Sequence, residues 1–211
     1  MIGKSMQRNG LILAAFAIAA TLLVMLVARL TAEPIAREQQ RELLEVLNQL
    51  IPPAQHDNDL YASCRLIDAP DLARAPTPMY LATLEGEPTA AALEVVAPNG
   101  YSGAIRLLVA LQWNGDVAGV RTLQHQETPG LGDKIELRKS AWILSFDGMT
   151  VNGSDDDRWA VRRDGGVFDQ FTGATITPRA VVQAVERAVV RFKQHKSTWQ
   201  QVTTTCGGDS Q

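Results

Sequence analysis

Asp169-Gln170-Phe171-Thr172-Gly173-Ala174-Thr175-Ile176-Thr177-Pro178 stands directly before a strong helix start. Beyond it Val181, Val182, Val185, Ala188, Val189 and Phe192 recur at helical spacing. Thr177 suits the N-cap, and the fixed φ of Pro178 suits the first helical position. The Gly173-Ala174 step is surrounded by the hydroxyls of Thr172, Thr175 and Thr177. A helix N-terminus offers unpaired N–H groups and the positive end of a dipole, so these hydroxyls face a natural phosphate site. Without that chemistry, the stretch is a capped helix after a turn.

Upstream of this helix the pattern has the period of two expected of strands. Met79–Leu84 and Ala91–Val96 flank the turn Glu85-Gly86-Glu87-Pro88. Ile105, Leu107, Val109 and Leu111 alternate with Arg106, Leu108, Ala110 and Gln112, and Asn114-Gly115 supplies a two-residue turn before Val117–Leu123 returns. A second hairpin is predicted where Trp159–Arg162 meets Val167–Phe168 through Asp164-Gly165-Gly166. With the helix from Pro178 to about His195, the fold class is α+β.

The N-terminal region is of another kind. Leu11 to Ala28 is free of charge and long enough to span a bilayer. Lys4 and Arg8 precede it, which keeps the N-terminus cytoplasmic and sends the remainder across. A cleaved signal peptide ending near Ala32 is the alternative, for which Leu30 is a poor residue. Next, Ile35, Leu43, Leu44, Val46, Leu47, Leu50 and Ile51 form the apolar stripe of an amphipathic helix that Pro52-Pro53 stops. Ala54 to Pro78 lacks periodicity and is read as an irregular connector.

The 211 residues suit one globular domain with an appendage, and a net charge of −3 argues against a nucleic-acid partner. Cys64 and Cys206 are either a disulfide of an oxidising compartment or two free thiols. The absence of Cys-x-x-Cys argues against thiolate-bound zinc or iron–sulfur sites. Redox chemistry therefore needs an organic cofactor or a partner. The sequence has no Gly-x-Ser-x-Gly elbow, His-Glu-x-x-His helix or Gly-x-Gly-x-x-Gly fingerprint, so hydrolase, metalloprotease and NAD-binding readings have no foothold.

The segment from Asp169 to Thr175 resembles the flavinylation motif Asp-x-x-(Ser/Thr)-Gly-Ala-Thr of the FMN-binding domain family. Its Ile-Thr-Pro continuation is similar to the G subunits of Rnf-type ion-translocating oxidoreductases. Glu127-Thr128-Pro129-Gly130-Leu131-Gly132 resembles the family's second motif, which contacts the isoalloxazine ring. Gly100-Tyr101-Ser102-Gly103 is similar to the segment that opens its core hairpin. The resemblance implies FMN joined through its phosphate to Thr175 as a phosphoester. It places Thr172, Gly173, Ala174, Thr177, Glu127, Thr128, Gly130, Leu131, Gly132 and Tyr101 around the cofactor. It also implies electron transfer between reduced ferredoxin and NAD, coupled to ion movement. The implied partners are membrane and iron–sulfur subunits, with a flavin transferase that uses FAD and magnesium. The expected organisation is a cytoplasmic N-terminus (1–10), a span of the inner membrane (11–30), and an amphipathic helix with connector (31–78). A periplasmic FMN-binding domain (79–195, motif core 100–192) and a tail (196–211) complete the chain.

Read from the residues alone, Pro129 and Gly130 suit a type II turn, and Asp133 with Glu136 suits a capping box on a subsequent helix. Tyr101 is a core aromatic or a flavin contact, Lys134 a solvated lysine or a neutraliser of reduced flavin, and His125 an ordinary loop histidine or a proton donor. Asn152-Gly153-Ser154 is read as a turn rather than a glycan site, and Asp155-Asp156-Asp157 as a solvated loop rather than a calcium site. Two further functions compete: the related C subunit of sodium-pumping NADH:quinone reductase, and an anchored flavin-binding sensor or scaffold.

Overall fold

In the computed structural model the described residues are 2–73, 76–153 and 156–206, with side chains from residue 6 onward. The Lys4 side chain, Ser154 of the sequon, Asp155 of the acidic triplet and the tail beyond Cys206 lie outside them. The chain forms two units, residues 1–44 and residues 45–211.

The first unit is helical. Helix α1 runs Ile2–Leu50, and from Met6 it is long and apolar enough to cross a membrane. The sequence reading of a span and then a separate amphipathic helix gives way to one continuous helix, with Pro34 inside it. The Pro34 ring removes one N–H from the ladder, but the residue is exposed, so nothing buried is left unsatisfied. Arg37 and Arg41 pair along the exposed face with Glu33 and Glu38, one turn away.

The second unit is built on one antiparallel sheet. Its strands are β1 (Arg65–Ile67), β2 (Thr77–Leu84), β3 (Glu87–Ala97), β4 (Ile105–Gln112) and β5 (Val117–Gln124), in the order β1-β2-β3-β4-β5. Register places Met79, Leu93, Val109 and Val120 in one row across the sheet. Helix α2 (Ile176–Trp199) packs on β3 and β4 over this face, burying Val181, Val182, Val185, Ala188, Val189 and Phe192. Full burial of such side chains is worth about 1.5–3 kcal/mol each, so this stripe is the main glue of the unit. The alternate residues Ala90, Ala92, Leu108 and Ala110 point to the opposite face and are buried too. Leu47, Leu50 and Ile51, at the end of α1, are also buried, and Leu50 Cδ2 lies 2.7 Å from where a Cβ on Gly119 would stand.

Three local expectations are corrected. The segment read as connector contributes β1, whose Arg65 and Ile67 pair with Met79 and Thr77. The turn between β4 and β5 is longer than two residues. The Gly115 N–H bonds to the Gln112 carbonyl, Gly115 has φ +99°, and the Gln112 N–H bonds to Asp116. That is a type I turn with a left-handed residue after it, as a three-residue loop requires. The second hairpin does not form strands. Arg162–Asp164 winds into a 3-10 turn ended by left-handed Gly165, and only a single bridge joins Val161 to Phe168.

The rings of Trp142, Phe146, Trp159, Phe168 and Phe171 fill the space between this loop region and the sheet. Phe146 stacks on Phe168 at 4.5 Å, and Trp142 meets Phe171 edge-on at 5.0 Å. Such pairs add about 0.5–1.5 kcal/mol beyond their buried area. Both sheet edges are covered. Leu66 N–H bonds to the Thr204 carbonyl outside β1, and Cys64 is disulfide-bonded to Cys206 with Cα atoms 5.4 Å apart. On β5, Val117 exchanges hydrogen bonds with Gly148 and Met149.

Candidate functional site

The loop that enters α2 is anchored on the aromatic cluster. Trp142 Nε1 donates to the Asp169 carbonyl at 2.7 Å, and the Asp169 carboxylate lies 3.1 Å from Arg162. Phe171 and Ala174 then close a tight turn in which Gly173 has φ +80°. Helix α2 starts at Ile176, so Thr175 occupies the N-cap position and its side chain makes no capping bond. The expected cap, Thr177, is instead inside the first turn and fully buried. Its hydroxyl donates to Glu127 Oε2 at 2.5 Å. A bond to a charged, buried acceptor is stronger than a cap bond, which explains the shift. The helix therefore opens without a side-chain cap, its first N–H groups and dipole available to an anion.

The second motif forms the opposite wall. Leu131 and Gly132 N–H groups both bond to the Thr128 carbonyl at 3.1 Å, and Gly130 has φ +79°, the type II geometry expected of Pro129-Gly130. The next element is not a capped α-helix but a 3-10 turn, Gly132–Ile135, in which Asp133 is buried with Oδ2 3.7 Å from Lys139 Nζ. Glu136 does not reach back because its carboxylate is held by Arg138 and by His125 Nε2 at 2.7 Å. The Arg138 bond holds the Glu136 carboxyl below its usual range, with burial opposing and the His125 bond adding to it.

His125 is a strut. Its Nδ1 accepts the Glu127 N–H at 3.0 Å, so the proton resides on Nε2 and is donated to Glu136. Glu127 is thereby fixed at its backbone. The residue is 4% exposed, with Oε1 accepting the Ser102 N–H at 3.0 Å and Oε2 taking the Thr177 hydroxyl. Two glycines leave room for it. A Cβ on Gly100 would stand 2.8 Å from Glu127 Oε1, and one on Gly132 would stand 2.7 Å from Oε2.

Between the walls lies a cavity of about 370 Å³. Gly173, Ala174, Thr175 and Thr177 line it from the first motif, Glu127, Thr128, Leu131 and Gly132 from the second, with Tyr101 and Ile176 completing it. Thr172, exposed, and Gly130, at the tip of its turn, are not among the lining residues, and neither are Lys134 and His125. Ile176 was missed by the sequence reading, its position inside the Thr-Ile-Thr-Pro run being the only cue. Tyr101, Ile176 and Leu131 are 68%, 46% and 41% exposed. Three apolar side chains on open walls, beside a helix N-terminus and an uncapped hydroxyl, fit a flat ring system carrying a phosphate. FMN is such a molecule.

Two roomier hollows lack this combination. One, of about 450 Å³, adjoins the disulfide and Tyr61 and Tyr80. The other, of about 530 Å³, is acidic, but Asp156 is paired with Arg158 and Asp164 with Arg179. Among the described residues no group of three His, Cys, Asp or Glu side chains is placed to hold a metal ion.

Comparison with known proteins matches residues 100–190 to the FMN-binding domain family, a range that contains every lining residue of the cavity. Residues 1–50 match the RnfG N-terminal region, which coincides with α1. The chain is 51% identical over 207 residues to the G subunit of the ion-translocating oxidoreductase complex of Vibrio atlanticus (strain LGP32), covering 98% of this chain and 99% of that protein. It belongs to the family of G subunits of ion-translocating oxidoreductase complexes. The corresponding G subunit of Vibrio cholerae serotype O1 (strain ATCC 39541 / Classical Ogawa 395 / O395) is 53% identical over 205 residues, covering 97% of this chain and 98% of its own. That of Shewanella piezotolerans (strain WP3 / JCM 13877) is 50% identical over 210 residues, covering 99% of each. Family membership thus spans the helical unit and the sheet unit alike.

Proposed function

We propose that the chain is the membrane-anchored flavoprotein subunit of an Rnf-type complex, relaying electrons through FMN carried as a phosphoester on Thr175. The uncapped Thr175 hydroxyl, set in the cavity at the N-terminus of α2, carries this reading. The domain is held on the periplasmic side of the inner membrane by the single apolar helix.

FMN supplies a centre that accepts one or two electrons and so joins one-electron carriers to two-electron donors. The residues of the chain do the rest. Thr175 tethers the phosphate, and the first-turn N–H groups of α2 stabilise its charge. Leu131, Tyr101 and Ile176 offer apolar surface to the ring and keep water from one side of it. The Glu127–Thr177 bond holds the two walls together across the cavity. A separate flavin transferase, with magnesium as its cofactor, makes the ester from FAD: the Thr175 oxygen displaces AMP at the FMN phosphorus and loses its proton. The flavin relays electrons within a complex whose other members are membrane and iron–sulfur subunits, coupling ferredoxin and NAD chemistry to ion transport.

The test is intact mass of the protein produced with and without the transferase. The wild type gains one FMN less one water only when the transferase is present, and Thr175→Val gains nothing. Undiminished covalent flavin on Thr175→Val refutes the assignment.

A further inference from the structure

Glu127 is the only charged side chain among the described residues that line the flavin cavity. It is nine-tenths buried, and both carboxylate oxygens accept from neutral donors, the Ser102 N–H and the Thr177 hydroxyl. Neutral donors orient a carboxylate without cancelling its charge. Among the described residues no ion pair includes it. Three of the described cations are engaged elsewhere: Lys139 faces Asp133, Arg138 faces Glu136, and Arg179 faces Asp164. Its backbone is pinned by His125, so the charge does not swing out to water.

We infer that Glu127 is an electrostatic tuning residue, a fixed negative charge in the cavity wall that lowers the reduction potential of the bound flavin. This rests on the FMN reading above. Uptake of two electrons and one proton adds one negative charge to the ring system. A like charge in a water-poor wall opposes that addition more than it disturbs the oxidised ring. The dipole of α2 acts in the opposite sense and is common to every variant at position 127.

The test uses the full-length chain, flavinylated and held in detergent. Flavin content is read by intact mass, and the midpoint potential by dithionite titration monitored in the visible spectrum at fixed pH. E127Q keeps the shape, its amide oxygen can still accept the Ser102 N–H, and its NH2 donates to the Thr177 hydroxyl oxygen in place of accepting from it; the charge is removed, and its potential moves upward. E127D keeps the charge, and its potential stays nearer the wild-type value than that of E127Q. A potential unchanged in E127Q overturns the proposal. So does an equal shift in E127Q and E127D, which marks packing rather than charge. Loss of flavin from E127Q alone also overturns it, since the carboxylate is then an assembly requirement. Wild type that carries no covalent flavin would instead refute the attachment reading beneath it.

Discussion

Replacing Gly132 by alanine tests the join between the two walls of the cavity. A Cβ at this position would stand 2.7 Å from Glu127 Oε2, 2.9 Å from Glu127 Cβ and 2.9 Å from Thr177 Oγ1. None of these atoms is a loose tip. Glu127 is tethered through His125, and Thr177 is buried in the first turn of α2. Relief must come from separating the Thr177 hydroxyl from the carboxylate. Overpacking costs about 1–3 kcal/mol, and losing a hydrogen bond to a charged group about 1.5–3 kcal/mol, so G132A should cost about 2.5–6 kcal/mol. For a unit of this size that lowers Tm by on the order of 10 °C. Gly130→Ala is the internal control. Gly130 has φ +79° with nothing within 4 Å of the added carbon, so it incurs only the left-handed penalty of about 1–2 kcal/mol. Urea unfolding monitored by tryptophan fluorescence reads both, because Trp113, Trp142, Trp159 and Trp199 all lie in the sheet-containing unit. If G130A proves as costly as G132A, or G132A unfolds within 1 kcal/mol (roughly the scatter of surface substitutions) of wild type, the reasoning fails.

Two other outcomes are expected beside those for Thr175 and Glu127. Cys64→Ser opens a loop with a sequence separation of 142 and should cost about 5 kcal/mol on the loop-entropy account, read by urea titration with and without reductant. A loss below about 1 kcal/mol would show that the bond merely decorates a tail already fixed by hydrogen bonds. The pH profile should fall steeply on the acid side. Arginine bonds hold the Glu136, Asp156 and Asp164 carboxyls low, so the stability they confer is complete above the unfolded carboxyl value of about 4 and is lost as pH falls through their lower folded values. Burial raises Asp147 and Glu186, which act in the opposite direction just above that window, gaining stability as they take up protons. A Tm that keeps rising down to pH 3, roughly a unit below the ordinary carboxyl value, would contradict this sign.

The parts of the fold that were legible in the sequence are those set by neighbours in the chain. The alternation in β2 to β5 and the helical stripe of α2 are local periodicities, and the structure has both. The Pro129-Gly130 turn obeys a local rule and also holds. What failed was decided by distant partners. Thr177 has the chemistry of a cap, but a carboxylate 50 residues away claims its hydroxyl. Glu136 has the spacing of a capping box, but its carboxylate is taken by its neighbour Arg138 and by His125. Where the second hairpin was expected, Arg162–Asp164 winds into a 3-10 turn ended by left-handed Gly165, and the Phe168 carbonyl takes the Arg162 N–H. β1 is too short for a periodic signal and exists because β2 offers it an edge. The pairing of Cys64 with Cys206 was open for the same reason, since only the fold brings the two ends of the sheet unit together.

The disulfide has a consequence for how the protein is made. The anchor lies at the N-terminus, so Cys64 reaches the oxidising side early, while its partner arrives 142 residues later. Until Cys206 emerges, the outer backbone groups of Arg65–Ile67 have no strand beside them and can template pairing with another chain. A nascent molecule tethered in the bilayer meets others of its kind in two dimensions, where such encounters are frequent. Maturation is thus ordered by position along the chain: the sheet zips first, the last exported segment seals it, and thiol oxidation makes the seal permanent.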